Sequence, residues 1–336
     1  MMSDWNNKRI LISRTDSIGD VLLTLPICEW LKKKYPEVTL LFLGRTYTQS
    51  IIEAYDFVDE VINWDTIQSL PTVDRMAAFR ALNVDAIVHI FPNKDIASLA
   101  KKVKIPTRIG TSHRSFHLLT CNHRLNFTRK NSNLHEAQLN FELLKPFGLK
   151  QIPTLEEINQ STAAFHPSAV ELPQNVQSFI NQHSKYVILH PKSQGSALEW
   201  PIEKYVQLAK KLVEKGYGVA YTGTDKEGVN FRGNITTSEN IMDTTGTMTL
   251  EQLMRFIQQA SGIVACSTGP LHIGGFLGIK SIGLFSNRKP IHPGRWHAIG
   301  SDAHYIVNDE NCEVCKKGKP CKCIENIEVE RVATLF

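Results

Sequence analysis

Short apolar runs alternate with amphipathic segments along nearly the whole chain, and this alternation limits the fold more than any other feature. Ile10–Ser13, Leu40–Leu43, Val61–Asn63 and Ala86–Ile90 are too short for buried helices and read as buried strands. Between the first two, Val21–Lys34 reads as a helix. Leu22, Leu25 and Leu31 face inward, and Lys32–Lys34 suit a helix C-terminus. Glu136–Phe147 reads as another amphipathic helix, closed by Gly148. From about Lys150 to Ser184 the rhythm lapses into Pro153, Pro167, Pro173 and many polar residues, which predicts an interdomain connection. It then restarts, with strands over Tyr186–His190, Gly218–Thr222, Gly262–Cys266 and Ser281–Phe285. Helices are expected over Glu203–Lys215, Thr249–Gln259 and Leu271–Leu277. Strands that alternate with helices build parallel sheets covered on both faces. The expected fold is therefore α/β, with two Rossmann-like, doubly wound domains, residues 1–165 and 166–336, facing a cleft. Ligands of such sheets bind beyond the carboxyl ends of the strands.

The 336 residues are 42% apolar, enough for two packed cores. A net charge of +5 fits an anionic substrate or a membrane surface. It is mild for a nucleic-acid binder, and aromatics are not interleaved with Lys/Arg runs, so no nucleic-acid partner is expected. The sequence shows neither a signal-peptide pattern nor an apolar run of membrane-span length, so a cytoplasmic location is expected. Of seven cysteines, Cys28, Cys121 and Cys266 read as small buried hydrophobes. Cys312, Cys315, Cys321 and Cys323 crowd into one stretch, and a reducing compartment argues against disulfides there.

Four junctions after strands carry polar chemistry: Thr15–Asp20, "HPKSQGSALEWP" (His190–Pro201), "TGTDKEG" (Thr222–Gly228) and "CSTGPLHIGG" (Cys266–Gly275). Neither G-x-x-x-x-G-K-[ST] nor G-x-G-x-x-G is present, which counts against ATP hydrolysis and conventional NAD binding. Ser267-Thr268-Gly269 enters a helix, where free backbone N–H groups favour a phosphate. The same residues also make an ordinary helix cap. Asp20 lies in the first turn of a helix at the mouth of a strand. A capping role is open to it, although Asp16 already offers a cap, and so is a role as general base.

The set "GDVLLTLP", "HPKS…EWP", "GTDKEG" and "STGPLHIGGFLG" resembles glycosyltransferase family 9, the heptosyltransferase-like enzymes of lipopolysaccharide core assembly, over Ile10 to about Val332. "RIG" (Arg108–Gly110) and "HEAQLN" (His135–Asn140) fall where that family has similar segments. The resemblance implies a GT-B architecture and a metal-independent, inverting transfer from a nucleotide sugar, ADP-linked by preference, bound by the C-terminal domain. It implies Asp20 as general base, Glu227 on the donor ribose, Met248 near the adenine, and His272 with Ser267, Thr268 and Gly269 around the diphosphate. Met248 equally suits a core position. Ser267 stands where the family usually has aspartate, and Leu198 where it has a lysine that neutralises the diphosphate. Lys192 and Ser193, or Arg288, Lys289 and Arg295, would then supply the missing charge. The same departures fit a weakened or non-catalytic nucleotide-sugar-binding protein. The implied acceptor is a lipid-linked or lipopolysaccharide core glycan met at the inner membrane face, with Arg108, His113, Arg114 and His117 offered to its negative charge. The cysteines form C-x2-C-x5-C-x-C. Four thiolates at this spacing suit an all-cysteine zinc site, although C-x-C is an uncommon half of one.

Overall fold

The structure is a computed structural model that describes residues 4–129 and 132–336. It divides into two compact units, Met1–His166 and Pro167–Phe336.

The first unit holds β1 (Arg9–Ser13), β2 (Thr39–Gly44), β3 (Glu60–Asn63), β4 (Ala86–His89), β5 (Thr107–Thr111) and β6 (His123–Leu125). All pair in parallel, in the order β3-β2-β1-β4-β5-β6. β1 is central, with Ile12 opposite Phe42 on one side and Val88 on the other. Ile10, Leu11 and Ile12 are accordingly fully buried, as a strand covered on both faces must be. Leu11, Leu41, Leu43 and Ile87 pack with Trp64, Phe79, Ile96 and Leu99 in one apolar cluster.

The second unit holds β7 (Tyr186–His190), β8 (Gly218–Tyr221), β9 (Ile241–Asp243), β10 (Gly262–Cys266), β11 (Lys280–Phe285) and β12 (Ala303–Val307). Its sheet is also parallel, ordered β9-β8-β7-β10-β11-β12. Counted within each unit, both sheets run 3-2-1-4-5-6. The winding reverses between β1 and β4 in one and between β7 and β10 in the other. That reversal is where an open α/β sheet leaves a crevice for ligands. Trp200 and Tyr205, edge to face with centroids 4.9 Å apart, fill the core beside Leu189 and Leu212.

Three expectations are corrected. Val21–Lys34 is two helices, Ile18–Leu22 and Pro26–Lys34. Pro26 has no N–H to continue a helix and suits the first position of a new one. Glu136–Phe147 is α-helical only to Phe141. It tightens into a 3-10 turn over Glu142–Phe147, which contains Pro146, and ends at Gly148 with φ of 81°. The expected connection from Lys150 to Ser184 contains two helices, Leu155–Gln160 and Gln174–Gln182. Thr154 and Glu157 cap the first reciprocally, and the second buries only Val176 and Phe179, too few apolar residues to register as periodic. No helix among the described residues is long and apolar enough to cross a membrane.

Candidate active site

The loop after β1 begins with Arg14, only 3% exposed. A buried guanidinium needs carboxylates to offset lost hydration. Nε donates to Asp16 at 2.6 Å, one terminal nitrogen meets Glu136 at 3.4 Å and Asn140 at 3.3 Å, and the other donates to Asp20. The Ser17 hydroxyl donates to the second oxygen of Asp20. Arg129 reaches the same Glu136 oxygen at 2.9 Å. Against the downward pull of burial, Asp16, Asp20 and Glu136 push Arg14 further above its ordinary pKa. Burial and the neighbouring Asp20 raise Asp16 to about 6, with Arg14 opposing. The side chain of Asp20 is 17% exposed, so it is gripped from within the protein and open on one side.

The "HEAQLN" segment completes this arrangement. Its helix, Glu136–Phe141, carries Glu136 and Asn140, and the Asn140 amide donates to Leu23 O at 2.9 Å and to Thr24 Oγ1 at 3.2 Å. One detail differs from expectation. Asp16 does not cap the helix; Ser17 occupies the cap position and Asp16 binds Arg14. The helix that carries Asp20 has five residues, and the two oxygens of Asp20 are held by Arg14 and Ser17.

Elsewhere in this unit, Arg108 is tied to backbone carbonyls of Thr120 and Ile105. His117 is buried and bonded to Thr111 O at 3.0 Å. Both hold structure rather than face a ligand. Arg114 and His113 are exposed.

In the second unit the candidate residues gather at the carboxyl ends of β7, β8 and β10. His190 ends β7 and bonds Thr222 at 3.0 Å; burial lowers its pKa while Glu227 and Glu199 pull it back. Lys192 is paired with Glu199 at 2.8 Å, and Glu199 also receives the Ser193 N–H at 2.9 Å and hydroxyl at 3.0 Å. These hydrogen bonds hold Glu199 below the usual carboxylate range in spite of its burial. Glu227 is 6% exposed and caps its helix, one oxygen taking the Thr224 N–H at 2.7 Å and hydroxyl at 2.9 Å. Met248 lies half-buried just before the helix Leu250–Gln258.

Thr268 stands at the cap of the helix Gly269–Phe276, yet its hydroxyl makes no capping bond and is buried without a partner. His272 lies one turn on, 2% exposed. Ser267 lines a cavity of about 250 Å³ with Leu198, Ser286, Arg288, Lys289 and Ile324. The lining brings two cations, Arg288 and Lys289, beside Leu198, and Lys192 is occupied by Glu199. Sequence reasoning missed Arg14, Arg129 and Glu199. For Arg14 a signal existed, since a charged residue follows closely on the apolar run Ile10–Ile12 of a central strand.

The profile of glycosyltransferase family 9 (heptosyltransferase) matches residues 78–325. A putative glycosyltransferase of Haemophilus influenzae is 28% identical over 310 residues, 89% of this chain and 88% of that one. Lipopolysaccharide heptosyltransferase 3 of Escherichia coli is 22% identical, over 83% of each. Among solved structures, a family 9 glycosyl transferase from Veillonella parvula superposes with a TM-score of 0.73 at 20% identity, covering 99% of this chain and 97% of that one. E. coli heptosyltransferase WaaC with ADP gives 0.70 at 19%, over 97% and 98%. Those likenesses fix the fold as GT-B-like α/β, and the family match covers about half of the first unit and nearly all of the second. This chain belongs to glycosyltransferase family 9 and is a glycosyltransferase.

Proposed function

We propose that this protein moves a heptose-like sugar from an ADP-linked donor to a lipopolysaccharide core or related glycan, inverting the anomeric centre without a metal in the reaction. The observation that carries the reading is the Asp20 carboxylate, fixed by Arg14 and Ser17 at the carboxyl end of a central strand and open on one side. The acceptor hydroxyl attacks the anomeric carbon, its proton passes to Asp20, and the nucleoside diphosphate leaves with the bonding electrons. In the second unit, the Thr268 hydroxyl and the N–H groups opening Gly269–Phe276 offer the diphosphate hydrogen bonds, together with His272, whereas both donors of Ser193 are already given to Glu199. Arg288 and Lys289 supply the positive charge, because Glu199 already engages Lys192. The remaining oxygen of Glu227 accepts a ribose hydroxyl, and Met248 gives the adenine an apolar face. The first unit takes the acceptor, with Arg114 and His113 open to its negative charge. Such an acceptor puts the enzyme in the cytoplasm, peripheral to the inner membrane.

Relatives named as heptosyltransferases, and a structural neighbour holding ADP, support the donor class. A second reading, a nucleotide-sugar-binding protein without turnover, draws on Leu198 and the Lys192–Glu199 pair. Thermal shift against ADP-, GDP-, UDP- and CMP-sugars, followed by a transfer assay with the best binder, separates the two. ADP compounds should stabilise most. A larger shift with UDP compounds would sink the donor assignment, and binding without transfer to any core glycan would favour the second reading.

A further inference from the structure

After β12, residues 308–322 have little apolar packing to hold them, although Ile324 and Ile327 just beyond are packed into the core. Their regular structure is the single turn Glu313–Lys316. Cys315 is buried, while every other residue from Asn308 to Lys322 is exposed or half-buried. A segment without an apolar core keeps one shape only when something else staples it. Four thiols sit at its centre: the Sγ atoms of Cys312, Cys315, Cys321 and Cys323 lie within 4.8 Å of one another. Around a tetrahedral ion with metal–sulfur bonds of about 2.3 Å, sulfurs stand about 3.8 Å apart, so the cluster needs only small shifts to close on one. The Cys312 sulfur receives backbone N–H bonds from Cys315 and Val314, the outer support that orients a metal ligand. A dication with four thiolates carries two net negative charges, and Lys316, Lys317, Lys319 and Lys322 are interleaved with the cysteines.

We propose that these four cysteines bind one divalent transition ion, zinc or iron, as a tetrathiolate, and that the resulting knuckle braces the wall of the cavity beside Ser267. On binding, four S–H protons go to solvent as four metal–sulfur bonds form. All-sulfur tetrahedral sites suit both ions. The brace follows from two contacts: Arg288 Nε donates to Gly318 O at 3.0 Å, within the loop that joins the two cysteine pairs, and Ile324, next to Cys323, lines the cavity. The site needs nothing from the proposed transfer reaction, so its test stands apart from it.

Protein purified without a histidine tag is analysed for metals; about one zinc or iron per chain is expected, and the element found decides between them. Cys321→Ser should lose the ion. If that variant does not fold, wild-type protein is stripped with a mercurial and a chelator and refilled anaerobically with cobalt(II), which should give the thiolate charge-transfer and tetrahedral d–d bands. Hydrogen exchange should then be faster in the stripped protein than in the filled one at residues 308–325 and 286–291. Substoichiometric metal with no cobalt spectrum would overturn the site. So would a thiol count two short of seven in the unreduced, unfolded chain, the mark of a disulfide instead. A filled site whose removal leaves exchange at 286–291 unchanged would overturn the brace.

Discussion

Asp20 and Arg14 act as one unit, and substitutions at either should be read through the other. Asp20→Asn keeps the shape and the Ser17 contact but withdraws one carboxylate from Arg14, which retains Asp16 and Glu136. Its expected cost is about 1–2 kcal/mol of stability. Turnover should fall about 10²–10⁴-fold, the usual worth of a positioned base. Nucleotide affinity should hold, because the residues proposed to bind it lie in the other unit. Transfer within a few-fold of wild type, in a folded variant, would end the case for Asp20 as base. Asp16 gives a pH prediction. Its pKa is raised from 3.8 to about 6, so between these values the native state binds more protons than the unfolded chain. Stability from this group therefore falls as pH rises from about 4 to about 6. Asp16→Asn should flatten that part of a denaturation-midpoint profile; an unchanged slope would mean that Asp16 does not titrate there. The sequence motif pointed to Asp20 but not to the grip on it. That grip depends on Glu136, 122 residues away in the chain, and no local pattern encodes such a meeting.

Among the elements, the helix Gly269–Phe276 is the most exacting. It is packed against Ile299 so closely that a Cβ on Gly275 would lie 2.3 Å from the Ile299 carbonyl oxygen, a backbone atom with little room to retreat. Gly275→Ala should cost about 1–3 kcal/mol by overpacking. It should also weaken ADP binding by displacing Thr268. Gly233→Ala is the control, since nothing lies within 4 Å of its Cβ position. Equal melting temperatures for the two variants would refute the packing argument. Strands with continuous apolar runs were legible, the edge strand β3 among them. Four were not: β6 is His-Arg-Leu and β9 is Ile-Met-Asp, too short to stand out, β5 is Thr-Arg-Ile-Gly-Thr, with no apolar run, and β12 was not read either. The break before Pro26 was written in the sequence as a proline, but the leucine spacing across it imitated a single helix.

For the whole molecule, the repeated 3-2-1-4-5-6 winding explains why the candidate loops after β1, β7 and β10 sit where each sheet reverses, while the Glu227 loop follows β8, the neighbour of β7. Alternating apolar and amphipathic segments revealed two such sheets, while their common strand order is a property of pairing that composition does not record. Each sheet draws all its strands from one unit, so each should unfold with its own transition. Calorimetry with saturating ADP should raise one transition and leave the other; a single peak moving as a whole would contradict this. The same division also has a consequence in time. At about 5–20 residues per second, a ribosome needs roughly 10–30 s to make the second half after the first has emerged. The first sheet is complete once β6 is out, and the helices of that unit are made by residue 164. The growing chain can thus bury Arg14 among its carboxylates before any of β7 exists.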